Sequence, residues 1–127
     1  MSTQSTRKTR QRDAIRAAFD RADRPLTIAE VLTAASKRVD GLGIATVYRA
    51  VNALIEDDWI APVEIPGAPT RYERSEKGHH HHFRCENCDR VFDIGGCLEN
   101  LRTLAPPKFT ITSHDVTLYG RCANCAR

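Results

Sequence analysis

The sequence predicts an α+β fold, in which an amino-terminal winged helix-turn-helix is followed by a small α/β domain with a structural zinc. Three observations predict this fold class: three amphipathic segments, a hairpin pattern directly after them, and two Cys-x2-Cys motifs further along the chain. A polar, aperiodic segment at residues 75–78 is the expected hinge. We therefore expect one domain at residues 1–74 and another at 79–127.

The composition excludes several classes of protein. With 127 residues, 41% of them apolar and 28% charged, the chain suits one or two small domains and leaves no room for a large catalytic scaffold. No apolar run approaches the roughly 20 residues of a membrane span, and the amino end lacks the apolar core of a secretion signal. We expect a cytoplasmic protein with no membrane partner.

The amino-terminal segment carries an excess of positive charge. Its first 24 residues contain seven basic residues against three acidic ones, namely Arg7, Lys8, Arg10, Arg12, Arg16, Arg21 and Arg24 against Asp13, Asp20 and Asp23. A segment of this kind can bind a phosphate backbone. A helix face that is simply solvated shows the same pattern and is the alternative.

Apolar residues at helical spacing predict helices at about residues 9–23, 27–38 and 44–57. The second helix is expected to begin at a capping box, in which the Thr27 hydroxyl and the Glu30 carboxylate each accept a hydrogen bond from a free amide. The apolar stripes of these helices are expected to form the core: Ile15, Ala18, Phe19, Ala22, Val31, Leu32, Ala35, Val47, Val51, Leu54 and Ile55.

Two extended runs follow the helices, at residues 59–65 and 70–74, and Pro66-Gly-Ala-Pro69 separates them. This turn chemistry predicts a hairpin. Three helices followed by a hairpin is the order of elements in a winged helix-turn-helix, whose third helix enters the major groove of DNA.

Beyond the hinge, the pattern is that of a small α/β domain. Short strands are expected at residues 81–85, 90–93, 109–111 and 115–119, with one helix at 98–104. Because few large apolar residues remain, such a domain needs a metal, a partner chain or both to fold.

The two Cys-x2-Cys motifs carry the strongest chemical signal, and their members are Cys85, Cys88, Cys122 and Cys125. Two such turns can complete a tetrahedron of thiolates at about 2.3 Å from Zn²⁺, so we expect a structural zinc. A disulfide is disfavoured in the cytosol, and a redox pair would normally open a helix of a thioredoxin-like fold. The fifth cysteine, Cys97, is either a small buried hydrophobe or a further metal ligand.

Four consecutive histidines, His79 to His82, precede the first cysteine motif. In an extended segment His79 and His81 face one side, and His80 and His82 face the other. Each pair, with nearby carboxylates, suits an exchangeable Zn²⁺, Fe²⁺ or Mn²⁺ site. Further ligands within plausible reach are Glu73, Asp93, Glu99 and His114. A solvated polar run is the alternative, whereas a purification tag would lie at a terminus.

Three motifs can be compared with known families: His79-His-His-His-Phe-Arg-Cys85-Glu-Asn-Cys88-Asp-Arg-Val-Phe-Asp93, Leu118-Tyr-Gly-Arg-Cys122-Ala-Asn-Cys125 and Gly43-Ile-Ala-Thr-Val-Tyr48-Arg49. Together they resemble the ferric uptake regulator family of bacterial metal-responsive repressors. The resemblance implies a regulator that is not an enzyme. It implies a homodimer that binds a double-stranded DNA operator through its first domain, dimerises through its second, and takes no small-molecule substrate beyond metal ions.

The resemblance also implies roles for individual residues. The expected DNA-binding residues are Arg12, Ala45, Thr46, Tyr48 and Arg49, although Tyr48 could instead pack against the core. The expected sensing site consists of Glu73, His80, His82 and Asp93. The expected second site consists of His79, His81, Glu99 and His114.

Two departures from the family pattern concern the identity of the sensed ion. Iron and peroxide sensors usually add a His from the first domain, where this chain has Arg24-Pro25. Zinc sensors commonly place a Cys just before the His run, where this chain has Ser75. Zinc uptake is the favoured process, and iron-responsive or peroxide-sensing regulation is the alternative. A zinc hydrolase is disfavoured because the sequence has no HExxH-type motif.

Overall fold

A computed structural model describes residues 3–96 and 99–126, so Cys97 and its two alternative roles lie outside the described residues. The chain divides into two compact units, Met1–Lys77 and Gly78–Arg127.

The first unit is a winged helix-turn-helix, as the sequence predicts. Its elements are α1 (Thr3–Ala22), α2 (Ile28–Ser36), α3 (Ile44–Glu56), β1 (Ile60–Val63) and β2 (Arg71–Arg74). The two strands pair antiparallel, with Ile60 opposite Arg74. Helix α1 begins at Thr3 instead of about residue 9. Apolar spacing does not reveal this polar extension, in which the exposed Arg7 and Lys8 favour the helix without a core contact.

The core of the first unit consists of the apolar stripes that helical spacing predicts. Its buried members from the three helices include Ile15, Ala18, Phe19, Val31, Ala35, Val47, Val51 and Leu54, and Ala22, Leu32 and Ile55 pack against them. Helix α2 begins at the predicted capping box, since the amide of Glu30 donates to Thr27 Oγ1 and the amide of Thr27 donates to Glu30 Oε1, both at 3.1 Å.

The hairpin is joined to the helices through its second strand. The backbone of Tyr72 exchanges two hydrogen bonds with Leu26, at 2.9 and 2.8 Å, in the loop between α1 and α2. Within the connecting turn, Gly67 has a φ of 75°, a left-handed conformation that glycine adopts without strain. A short 3-10 helix, Ser75–Lys77, follows the hairpin.

The second unit is a mixed sheet of three strands, β3 (His81–Cys85), β4 (Val91–Ile94) and β5 (Thr117–Gly120), in the order β4-β3-β5. The central strand β3 is antiparallel to β4 and parallel to β5. Among the described residues of this unit, only His81, Cys85 and Val91 are buried. The thin core that the sequence predicts is therefore confirmed.

Two predicted elements of the second unit are wrong. Residues 109–111 form no strand and join neither edge of the sheet, and their apolar side chains Phe109 and Ile111 are 70% and 43% exposed. The helix predicted at 98–104 starts outside the described residues, and its described part, 99–104, is helical only as a 3-10 helix at Leu101–Leu104. Leu104 is 77% exposed, and a short helix without a packed apolar face is marginal in water.

Within residues 3–96 and 99–126, no helix combines the length and the apolar character needed to cross a membrane.

Candidate functional site

The four paired cysteines meet at one end of the sheet in the second unit. Strands β3 and β5 run parallel, so the turn that follows Cys85 and the turn that follows Gly120 leave the same edge. The four sulfur atoms lie within 4.8 Å of one another, and Cys88 Sγ is 3.9 Å from Cys122 Sγ. The donor set is that of a closed tetrahedral zinc site, which four thiolates fit.

Backbone amides prepare this cluster for a cation. The amides of Cys88 and Cys122 donate to Cys85 Sγ at 3.4 and 3.3 Å, and these hydrogen bonds lower the pKa of the Cys85 thiol to about 6 despite its burial. The amide of Arg90 lowers the pKa of Cys88, but partial burial of the sulfur and the neighbouring thiols raise it to about 11. Four thiolates therefore need a cation among them.

Three imidazoles gather in a second cluster within the same unit. The ligating atoms of His79, His81 and His114 lie within 4.8 Å of one another, and the Nε2 atoms of His79 and His114 are 3.1 Å apart. His81 is buried on β3, and its Nδ1 accepts a hydrogen bond from the amide of Val116 at 3.1 Å. Ligation of a metal through that nitrogen has to replace this hydrogen bond.

Burial and charge favour the neutral form of His81, which is the form that binds metals. Desolvation lowers the pKa of His81, repulsion from His79 and His114 lowers it further, and Asp115 acts in the opposite direction. The remaining predicted member of this site, Glu99, lies outside the group of three imidazoles. Together with His114 it lines a cavity of about 230 Å³.

The other two histidines of the run converge on a carboxylate from the neighbouring strand. His82 is directly opposite Asp93 in the pairing of β3 with β4. The Nε2 atoms of His80 and His82 lie 3.4 and 3.5 Å from Asp93 Oδ1. The alternation of an extended His run thus sends these two rings to one side and His79 and His81 to the other.

The tautomer of His80 follows from its backbone contact. Its Nδ1 lies 2.8 Å from the carbonyl oxygen of Gly78, so this nitrogen donates and Nε2 of the neutral ring carries a lone pair. That lone pair faces the oxygen of Asp93, and two acceptor atoms at this distance need a proton or a metal ion between them. Imidazole and carboxylate together suit Zn²⁺, Fe²⁺ or Mn²⁺.

The fourth residue predicted for the sensing site, Glu73, lies on β2 of the first unit. Its side chain is buried, with 7% exposed, and its Oε2 is 3.8 Å from Nζ of Lys77.

The residues predicted to bind DNA lie on α1 and α3 of the first unit. Ala45, Tyr48 and Arg49 are exposed on α3, and Tyr48 is 51% exposed, which argues against a packing role for its ring. Nη2 of Arg49 donates to Thr46 Oγ1 at 3.2 Å. A groove of about 300 Å³ between the two helices is lined by Lys8, Gln11, Arg12, Ile15, Thr46, Arg49, Ala50 and Ala53. The groove thus combines apolar side chains with the basic side chains of Lys8, Arg12 and Arg49.

Sequence reasoning missed three residues of these sites. Gln11 lines the basic groove and is buried, a position that its spacing of four from Ile15 on α1 could have indicated. Lys77 approaches Glu73, and the acid-base spacing of four residues is visible in the sequence. Asp115 acts on His81 through a fold-dependent contact that no local pattern reveals.

Comparisons with known proteins agree with this architecture. Residues 3–119 match the model of the Ferric uptake regulator family. A ferric uptake regulation protein of Campylobacter jejuni is 34% identical over 87 residues, which are 66% of this chain and 55% of that protein, so the matched part spans about half of that relative.

Solved structures show the same fold. A zinc-bound manganese uptake regulator superposes with a TM-score of 0.75 at 22% identity, over 88% of this chain and 87% of that one. FurB from M. tuberculosis, described as a zinc uptake regulator, superposes with a TM-score of 0.52 at 25% identity, over 94% of this chain and 95% of that one.

Proposed function

The chain belongs to the ferric uptake regulator family, and from this premise we propose that it is a metal-dependent transcriptional repressor that binds a double-stranded DNA operator as a homodimer. The process that it regulates is metal-ion homeostasis, with zinc uptake favoured. No chemical step on a substrate is required, because the effect of the metal on DNA binding is an effect on the population of conformations.

One observation carries this proposal. Within one chain, a winged helix exposes Tyr48 and Arg49 on its third helix, and a second unit directs the Nε2 atoms of His80 and His82 at Asp93. The first arrangement suits base edges in the major groove, and the second suits an exchangeable divalent ion.

We assign Glu73 to the sensing site as its fourth ligand. This carboxylate stands seven residues before His80 in the sequence and matches the position of a ligand in the family motif. A bound divalent cation would neutralise the carboxylates and would stabilise the conformation in which its ligands meet. To shift a population from 1:99 to 99:1, the ion must bind the favoured conformation better by about 5.5 kcal/mol.

The second site is proposed to consist of His79, His81 and His114, with Glu99 as its predicted fourth ligand. The neutral imidazole that burial favours at His81 supports this assignment. The structural site is proposed to hold Zn²⁺ on Cys85, Cys88, Cys122 and Cys125, because the close-packed sulfurs fit the thiolate preference of that ion.

For DNA, we propose that Arg49 and Tyr48 contact base edges, with Ala45 and Thr46 beside them, and that Arg12 contacts the backbone or the minor groove. Lys8 and Arg12, which line the groove between α1 and α3, support a phosphate contact there. The homodimer is supported by the exposed apolar side chains of Phe109, Leu118 and Tyr119 in the second unit.

Zinc is favoured as the sensed ion because all five histidines lie at or beyond His79, so the first domain supplies no imidazole. FurB from M. tuberculosis, 25% identical, is described as a zinc uptake regulator. Iron is the second candidate, because the relative from Campylobacter jejuni is a ferric uptake regulation protein and the imidazole and carboxylate donors also suit Fe²⁺.

The test is a selection of duplexes from a random-sequence library by the purified protein, repeated with buffered Zn²⁺, Fe²⁺ and Mn²⁺ and with metal content measured in parallel. We expect one palindromic sequence to be enriched. This enrichment should require a lower free concentration of Zn²⁺ than of Fe²⁺ or Mn²⁺. Enrichment with Fe²⁺ alone would replace zinc by iron in the proposal. Mass spectrometry after peroxide exposure of the Fe²⁺ form identifies a peroxide sensor by 2-oxo-histidine. No enrichment with any metal would end the proposal.

A further inference from the structure

A lysine lies beside the carboxylate that we assign to the sensing site. Glu73 on β2 and Lys77 at the end of the following 3-10 helix are four residues apart, and Lys77 Nζ lies 3.8 Å from Glu73 Oε2. The Glu73 side chain is 7% exposed and that of Lys77 is 18% exposed. A carboxylate so far removed from water needs a neighbouring positive charge, and Lys77 contributes one.

Arg74, the residue that follows Glu73, contacts Asp20 and Trp59. Nη1 of Arg74 donates to Asp20 Oδ1 at 2.6 Å, and its guanidinium stacks on the ring of Trp59 at 3.8 Å from the centroid. Arg74 therefore joins β2 to α1, while Lys77 approaches Glu73 from the adjoining 3-10 helix.

A metal ion that binds Glu73 meets this ammonium group. Two cations at one carboxylate repel each other, so the ammonium group has to withdraw or the ion binds less tightly. We propose that Lys77 is a tethered competitor for Glu73, one that raises the free metal concentration at which the sensing site fills. This inference rests on the proposed function, since it requires Glu73 to be a ligand.

The chemistry of lysine suits such a competitor. The 3.8 Å between Lys77 Nζ and Glu73 Oε2 exceeds a hydrogen-bond distance, so the contact between these two atoms is an ion pair without a directed hydrogen bond. An ammonium group on a flexible stem is strongly hydrated, so it can swing into water when a divalent ion arrives. A rigid guanidinium in a bidentate pair would be harder to displace.

The experiment measures zinc affinity at the sensing site by competition with a chelating fluorophore, in full-length protein that keeps its structural zinc. The variants are Lys77→Met, which removes the charge and keeps the length, Lys77→Arg, which keeps the charge, and Glu73→Gln. The double variant of Lys77→Met with Glu73→Gln closes a thermodynamic cycle. Lys37→Met is the matched control, because Lys37 is an exposed cation at the end of α2 in the same unit.

We expect Lys77→Met to tighten zinc binding about threefold to tenfold, the range for a partly buried ion pair. Lys37→Met should match the wild type. Lys77→Arg keeps the positive charge in a group that is harder to displace, so it should bind zinc no more tightly than the wild type. In the Glu73→Gln background, Lys77→Met should have no effect.

Two results overturn the inference and are distinguishable. If Glu73→Gln weakens zinc binding while Lys77→Met leaves it at the wild-type value, Glu73 is a ligand and Lys77 does not compete for it. If Glu73→Gln leaves zinc binding unchanged, the proposed ligand set fails, and the competition fails with it.

Discussion

The backbone amide of Cys122 donates a hydrogen bond to Sγ of Cys85 at 3.3 Å, across 37 positions of the sequence. This contact joins the turn after β5 to the end of β3. Cys85 is also one of three buried residues among those described in the second unit. Cys85 therefore belongs to the small core of that unit as well as to the proposed structural zinc site.

Replacement of Cys85 by serine is expected to unfold the second unit. The apparent binding free energy of a structural zinc, about 10–16 kcal/mol in small zinc domains, is as large as the whole stability of a typical domain. The first unit has its own core and should keep its helices. Hydrogen exchange with parallel zinc analysis measures both effects.

Cys97→Ser is the control for that variant, since Cys97 belongs to neither Cys-x2-Cys motif. It should retain one tightly held zinc per chain. A Cys85→Ser protein that kept its zinc and its protected amides in β3 would contradict the structural role.

Loss of the capping box should destabilise the first unit. In Thr27→Ala the amide of Glu30 loses its acceptor, so the free energy of unfolding should fall by about 1 kcal/mol. Urea denaturation measures this change. Thr33→Ala, at an exposed position within α2, serves as the control and should be neutral or slightly stabilising. Equal losses in the two variants would show that the cap is not the cause.

Arg49 and Arg12 should affect DNA binding in different ways. Arg49→Ala should cost about 1–3 kcal/mol on the selected duplex and relax specificity at one base pair, because arginine reads guanine through two hydrogen bonds. Arg12→Ala should weaken all duplexes alike and lower the salt slope by about 1. Fluorescence anisotropy at several salt concentrations separates the two patterns.

The exposed Arg121 of the second unit supplies a control for the loss of one positive charge. Arg121→Ala should bind the selected duplex as the wild type does. If all three variants lost affinity equally, general electrostatic attraction would explain the data better than a defined contact.

His82→Ala should disable the sensing site and leave the fold intact. Nε2 of His82 lies 3.5 Å from Asp93 Oδ1 on the neighbouring strand, and His82 is only half-buried, so its loss removes one proposed ligand and no fully buried residue. The affinity for the regulatory metal should fall at least about tenfold, since mutation of a residue that only hydrogen-bonds a metal ligand already lowers metal affinity by that factor. A zinc titration with circular dichroism checks affinity and fold together, and unchanged affinity would exclude His82 as a ligand.

The helices of the first unit could be predicted from the sequence because periodicity selects their buried apolar residues. Ile15 and Phe19 on α1, and Val47 and Val51 on α3, are each four residues apart and are all buried. The second unit was harder to predict from the sequence. Residues 109–111 alternate as a strand does, but Phe109 is 70% exposed. A strand needs a partner strand, and no local pattern shows that the sheet ends at β4 and β5 without pairing to residues 109–111.

The same limit applies to the sites. The Cys-x2-Cys spacing and the alternation of the His run are local, so the two clusters on opposite sides of β3 could be predicted. Glu99 could not be placed, because its position depends on the path of an irregular segment, and the structure leaves it outside the imidazole group. The effect of Asp115 on His81 likewise depends on strand order.

We propose that occupancy of the sensing site controls the affinity of the protein for operator DNA. The direct test is the binding isotherm of the selected duplex with wild-type protein, measured at free Zn²⁺ concentrations set by a chelator while the structural zinc stays in place. We expect an affinity that rises with free zinc to a plateau, and a flat response for His82→Ala. Identical affinity with the sensing site loaded and stripped would contradict this role of the metal.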